Sequence, residues 1–146
     1  SLLLYKDARC DMNILDETLG PENWQRRHYE VKGSLHCEVS IWDDKKDQWI
    51  RKADCGTESN TEKEKGECSD SFKRACFNWG IGRELYTAPF IWVPESKLNL
   101  CDRNGKKTTH DRFRVEKILI TETHKITALS IWNDTKNCRA FVWQAS

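Results

Sequence analysis

A run of apolar positions at helical spacing most constrains what this chain can fold into: Cys68, Phe72, Ala75, Cys76 and Trp79. They recur at i, i+4, i+7, i+8 and i+11, one stripe of a 3.6-residue helix, which predicts a helix reaching to Gly80 with one side in a core. Lys73, Arg74, Asp70 and Phe77 then face away from that core. Adjacent cations beside an outward aromatic suit a phosphate backbone and a stacked base, a combination typical of single-strand binding. The plainer reading is a solvated face, because Asp70 and Arg74 stand at i and i+4, where an ion pair adds a few tenths of a kcal/mol.

Around this helix the pattern predicts helix, strands, helix, strands. A first helix from about Lys6 to Leu19 is stopped by Gly20 and Pro21. Trp24 to Lys32 and Leu35 to Trp42 read as strands joined at Gly33-Ser34, with Gln48 to Ala53 following a polar turn at 43–47. Cys37, Val39 and Ile41 alternate onto one face of the second, so an antiparallel meander is expected. The stretch from Thr57 to Lys65 has no apolar residue and leads into the second helix, where Thr61 and Glu64 form a capping box. Gly80-Ile81-Gly82 turns the chain, Phe90 to Val93 is short and extended between Pro89 and Pro94, and Phe113 to Thr121, Lys125 to Trp132 and Arg139 to Trp143 are further strands. The expected fold is therefore α+β: an antiparallel β-meander packed against two main helices, a β-β-β-α core with extra C-terminal strands, in a single domain over residues 1–146.

Composition limits the function. The chain has 146 residues, 38% of them hydrophobic, enough for a sizeable core, and a net charge of only +1, so no global positive field draws it to a polyanion. Arg103 to Lys117 is locally basic but reads as a solvated loop. Seven widely spaced cysteines (Cys10, Cys37, Cys55, Cys68, Cys76, Cys101, Cys138) with no C-x-x-C pair argue against a disulfide framework and a zinc site, and for a reducing, intracellular compartment. No signal peptide or membrane span is read, and the start at Ser1 without a methionine is read as a processed or cut chain, truncated before the first helix. No G-x-x-x-x-G-K-[ST] loop cradles ATP, and His28, His36, His110 and His124 lack metal-ligand spacing. Glu30-Val31-Lys32 has the E-x-K spacing of metal-dependent nucleases, with Asp16 as a conceivable partner, although cross-strand pairing explains it more simply.

The run from Ser69 to Tyr86, S-D-S-F-K-R-A-C-F-N-W-G-I-G-R-E-L-Y, resembles the signature helix of the Rad52 superfamily of single-strand annealing proteins, especially its bacteriophage members. Tyr5 to Arg9, leading to Gly20-Pro21-Glu22-Asn23-Trp24, resembles that family's opening helix and G-x-x-x-W turn. Trp49 to Glu58 and Glu62 to Gly66 resemble its last meander strand, glycine loop and helix start. The resemblance implies that Lys73 and Arg74 grip single-stranded DNA in a narrow groove, with Arg9 on the opening helix and Lys65 at the start of the signature helix contributing. Phe77 stands where some members carry a third basic residue, exchanging a phosphate contact for a stacking surface or a neighbouring-subunit contact. It further implies a non-catalytic protein that needs no ATP, metal or other cofactor. Such a protein would work in a homo-oligomeric ring or filament to anneal complementary strands in recombination and double-strand break repair, beside phage or host recombination and replication proteins in a bacterial cytoplasm. A self-association domain that ignores DNA and a metal-dependent nuclease are the alternatives.

Overall fold

A computed structural model of the chain describes residues 1–57 and 63–146, in two compact units. The expected capping box at Thr61 lies outside the described residues.

The first unit, Lys6–Arg83, is built in chain order as α1 (Ala8–Leu19), β1 (Trp24–Val31), β2 (Ser34–Asp43), β3 (Gln48–Cys55) and α2 (Lys63–Asn78). The Asp7 carboxylate caps α1 by accepting from the Cys10 N–H at 3.1 Å. The helix ends as expected, with the Gly20 N–H on the Asp16 carbonyl. The turn after it is tied by side chains. Asn23 Nδ2 donates to the Leu19 carbonyl and the Trp24 indole N–H donates to Asp16 Oδ1 at 2.7 Å. Asp16 thus orients a tryptophan, and Lys32 sits in the β1–β2 turn with φ 51°, so the E-x-K trio is not gathered on a strand face.

The three strands form the predicted antiparallel meander in the order β1-β2-β3, with Val39 opposite both Arg26 and Lys52. The sheet face bearing Cys37, Val39 and Ile41 receives α2, whose Phe72, Ala75 and Cys76 are fully buried with Leu15 of α1. Trp24 stacks on Phe72 with ring centroids 6.1 Å apart. Gly56 lets this packing happen. A Cβ there would stand 2.5 Å from the Glu67 carbonyl and 2.7 Å from the Ser71 N, so the chain leaving β3 passes α2 at a distance only glycine allows. The buried thiols serve as apolar groups, and burial pushes Cys37 up to about 11 and raises Cys76 further. All seven cysteines are free.

The second unit, Ser1–Tyr5 with Glu84–Ser146, carries the antiparallel sheet β6 (Phe113–Ile120), β7 (Ile126–Asn133) and β8 (Cys138–Gln144) in that order. Ile126, Leu129 and Ile131 are buried on one face with Ile91, which pairs with Leu2 in an isolated bridge. The stretch expected to be a solvated basic loop contains a hairpin, β4 (Leu100–Arg103) with β5 (Lys106–Thr109). Its turn is Asn104-Gly105, both with positive φ.

Asn133 is a fully buried polar residue here, and its Nδ2 donates to the Lys97 carbonyl at 3.0 Å and to Asp111 Oδ2 at 2.8 Å. Partial desolvation works to raise the Asp111 carboxyl, but hydrogen bonds from the Asn99 N–H and from the Asn133, Asn99 and Thr109 side chains outweigh it and bring it down to about 2. A carboxyl whose folded value lies below its unfolded one contributes stability above the unfolded value of about 3.9 and loses it as pH falls toward the folded one. Asp111→Asn is therefore expected to show a smaller fall in melting temperature between pH 5 and pH 2 than the parent protein, read by thermal denaturation across that range.

Candidate nucleic-acid interface

Helix α2 carries the predicted pair on its outer side, and the structure sends the two cations to opposite flanks, as consecutive residues on a helix stand about 100° apart. Arg74 turns toward β3, where its Nε lies 3.5 Å from Asp54 Oδ1. Lys73 is half-buried on the flank facing α1, where its charge helps to hold down Asp11. Among the described residues Lys73 makes no ion pair. The expected Asp70–Arg74 pair is replaced. Asp70 Oδ2 instead accepts from the Thr57 N–H at 2.9 Å and from its hydroxyl, tying the residue after Gly56 to α2.

The remaining predicted residues spread out from this pair. Arg9 lies exposed on α1, and its guanidinium is held by Asp7, Nη2 to Oδ2 at 2.9 Å. That hydrogen bond and the Cys10 N–H lower the Asp7 carboxyl below its ordinary value. Lys65 is exposed in the first turns of α2. Phe77 is half-buried rather than open, with the Arg83 guanidinium 5.6 Å from its ring centroid. Arg83 Nε and Nη2 also donate to the Phe77 and Asn78 carbonyls at 3.0 and 3.1 Å, and Lys52 Nζ reaches the same Asn78 carbonyl. Two cations thus satisfy the end of α2, where orphan carbonyls and the negative end of the helix dipole favour them.

Sequence reasoning missed the charged pair beneath the site. Asp11 is fully buried, and both its oxygens accept from Lys6 Nζ, at 2.5 and 2.6 Å. Burial raises the Asp11 carboxyl above its ordinary value, and Lys6 and then Lys73 pull the other way. The stem of Lys6 crosses Gly82 so closely that a Cβ there would collide with Lys6 Cε. The Gly80-Ile81-Gly82 turn therefore shapes the wall that holds Lys6. Lys6 and Asp11 are five residues apart and Lys6 precedes the helix, so no helical spacing links them.

Arg26 was missed as well. It stands on β1 among residues alternating toward the helices, with its guanidinium 4.8 Å from the Phe72 ring centroid. A charged residue at an inward-facing strand position was the available signal. Removing Lys6 would leave Asp11 buried without its ammonium partner. Lys6→Met is expected to destabilise the fold by about 3 kcal/mol, read by urea denaturation, and Lys6→Met with Asp11→Leu is expected to recover much of that loss.

Among the described residues no three His, Cys, Asp or Glu side chains are gathered as metal ligands, and no helix is long and apolar enough to cross a membrane. The arrangement is one of cations on a helix and its flanks, with Arg9, Arg74 and Arg83 held by carboxylates or carbonyls and Lys73 without an ion pair among the described residues. No curated protein and no solved structure gives a significant match to the chain. The model of the Rad52/22 family double-strand break repair protein matches residues 8–102. That span takes in α1, the whole meander, α2 and β4, well over half of the chain, and the chain therefore belongs to the Rad52/22 family of double-strand break repair proteins.

Proposed function

We propose that the protein binds single-stranded DNA along α2 and anneals complementary strands in recombination, with no catalytic step and no need of ATP. The observation that best supports this reading is the placement of Lys73 and Arg74 on the outer side of α2, within the span that matches the family. Phosphates neutralised there leave bases free to sample a second strand, and the cations lower the repulsion between two anionic strands. Contacts of this kind address the backbone, so binding is indifferent to sequence.

A single copy offers few cations, so a continuous track requires copies side by side, in a ring or filament. One surface suits such an assembly. In the second unit Leu3, Tyr5, Phe90 and Trp92 alternate outward from the Leu2–Ile91 bridge and are 86, 83, 76 and 63% exposed. Exposed apolar surface rich in aromatics is what subunit interfaces bury. The reaction belongs to the intracellular compartment where recombination intermediates are made.

Lys73→Ala with Arg74→Ala is expected to abolish oligonucleotide binding while melting close to the parent protein, measured by fluorescence anisotropy and thermal denaturation. Unchanged affinity would remove these residues from the interface. The parent's log K should fall linearly with log salt, by about 0.7 per phosphate contacted. Trp92→Glu is expected to lower the mass read by light scattering, and an unaltered mass would exclude that surface from the assembly.

A further inference from the structure

The direction in which the DNA runs over α2 follows from which cations are already neutralised. Most arginines of the first unit are committed to carboxylates: Arg9 to Asp7, Arg27 and Arg51 to Glu38, and Arg74 to Asp54. Arg83 is spent on the end of α2. Arg26 differs. It is exposed, and among the described residues it makes no ion pair or hydrogen bond, only the contact with the Phe72 ring. A planar guanidinium laid on a buried aromatic ring is held in one orientation while its N–H donors remain open to solvent.

Its position is equally particular. β1 is one of the two edge strands of the meander, α2 packs on β2 and on the other edge strand β3, and α1 packs on α2 and β1. The strip of β1 that faces the helices is therefore only partly covered, by Trp24 against Phe72 and by the His28 Nε2–H on the Cys68 carbonyl. Arg26 stands between these two. Lys6 and Lys73 act on the buried Asp11, and Arg26 acts with Lys6 on the buried Cys76 of α2. On the β3 flank Arg74 already faces Asp54.

We infer that the single strand lies on the β1 flank of α2, with Arg26 as a further phosphate-binding residue beside Lys73 and with Arg74 the lesser partner. This rests on the reading of the protein as a single-strand binder and changes where the strand runs. A guanidinium with no carboxylate to displace meets a phosphate with all its donors, whereas Arg74 must first leave Asp54.

The test must separate a phosphate contact from a mere cover over Phe72. Arg26→Met keeps an unbranched apolar stem on the ring and removes the charge, and Arg26→Lys keeps the charge. Binding of a poly-dT oligonucleotide is followed by fluorescence anisotropy over a salt series, with melting temperatures recorded alongside. In Arg26→Met the slope of log K against log salt is expected to shrink by about 0.7, the loss of one phosphate contact, while Arg26→Lys retains the parent slope. Lys73→Ala is expected to reduce the slope more than Arg74→Ala. An Arg26→Met protein with the parent affinity and slope overturns the Arg26 contact and leaves the assignment of α2 standing. A parent protein with no salt-dependent binding overturns both.

Discussion

The seating of α2 on the meander is the contact on which the rest of the first unit depends. Phe72, Ala75 and Cys76 enter the face made by Cys37 and Val39, and full burial of side chains the size of phenylalanine or valine contributes about 1.5–3 kcal/mol each. Only one rotation of the helix about its axis puts all three in. Once it is set, Lys73 must point toward α1, Arg74 toward β3 and Trp79 toward the Val39 carbonyl, which its indole N–H reaches at 3.0 Å. Close approach at Gly56 and Ser71 then sets how deep the helix lies. The apolar core thus aims the cations.

Electrostatics in this protein is a matter of local pairing rather than overall charge. Residues 6–83, which contain every predicted DNA contact, hold fourteen Lys and Arg against sixteen Asp and Glu, while residues 84–146 hold ten against seven. The unit that carries the candidate interface therefore has no positive field of its own. What it has is a division of labour among its cations. Lys6, Arg9, Arg27, Arg51, Lys52, Arg74 and Arg83 are tied to carboxylates or helix carbonyls, whereas Lys73 and Arg26 on the α1–β1 flank of α2 make no ion pair among the described residues. Asp11 shapes that flank. A buried carboxylate between Lys6 and Lys73 holds Lys6 in the fold and leaves Lys73 the more available of the two.

Much of the fold was legible in the sequence because the relevant segments carry clean periodicity. The stripe from Cys68 to Trp79 lies in α2 and its exit turn, the alternation of Cys37, Val39 and Ile41 became the helix-facing side of β2, and Gly20 with Pro21 ended α1. The hairpin at 100–109 escaped because β4 is exposed throughout and β5 is polar, so neither shows an apolar face, and only Asn104-Gly105 announced the turn. At the candidate site the identities of Lys73 and Arg74 were readable, but their partners were not. Asp70 at i−4 looked like the natural mate of Arg74, yet the chain brings Asp54 from β3 to Arg74 and Thr57 to Asp70. Phe77 looked like an open stacking surface until Arg83 folded over it.

By itself, then, the sequence determined which faces of which segments are apolar, and with them the α+β class, the meander and the outward placement of the basic pair. Periodicity is a local property, written in residues a few positions apart. Only the tertiary structure decided which charges meet. Lys6 with Asp11 beneath Gly82, Arg74 with Asp54 and Arg26 with Phe72 join residues that share no common period, and their pairing follows from how α1, β1, β3 and α2 pack. Electrostatic interaction falls off over a few ångströms of solvent, so the charges left for a DNA strand depend on those distances and not on the composition that supplied them.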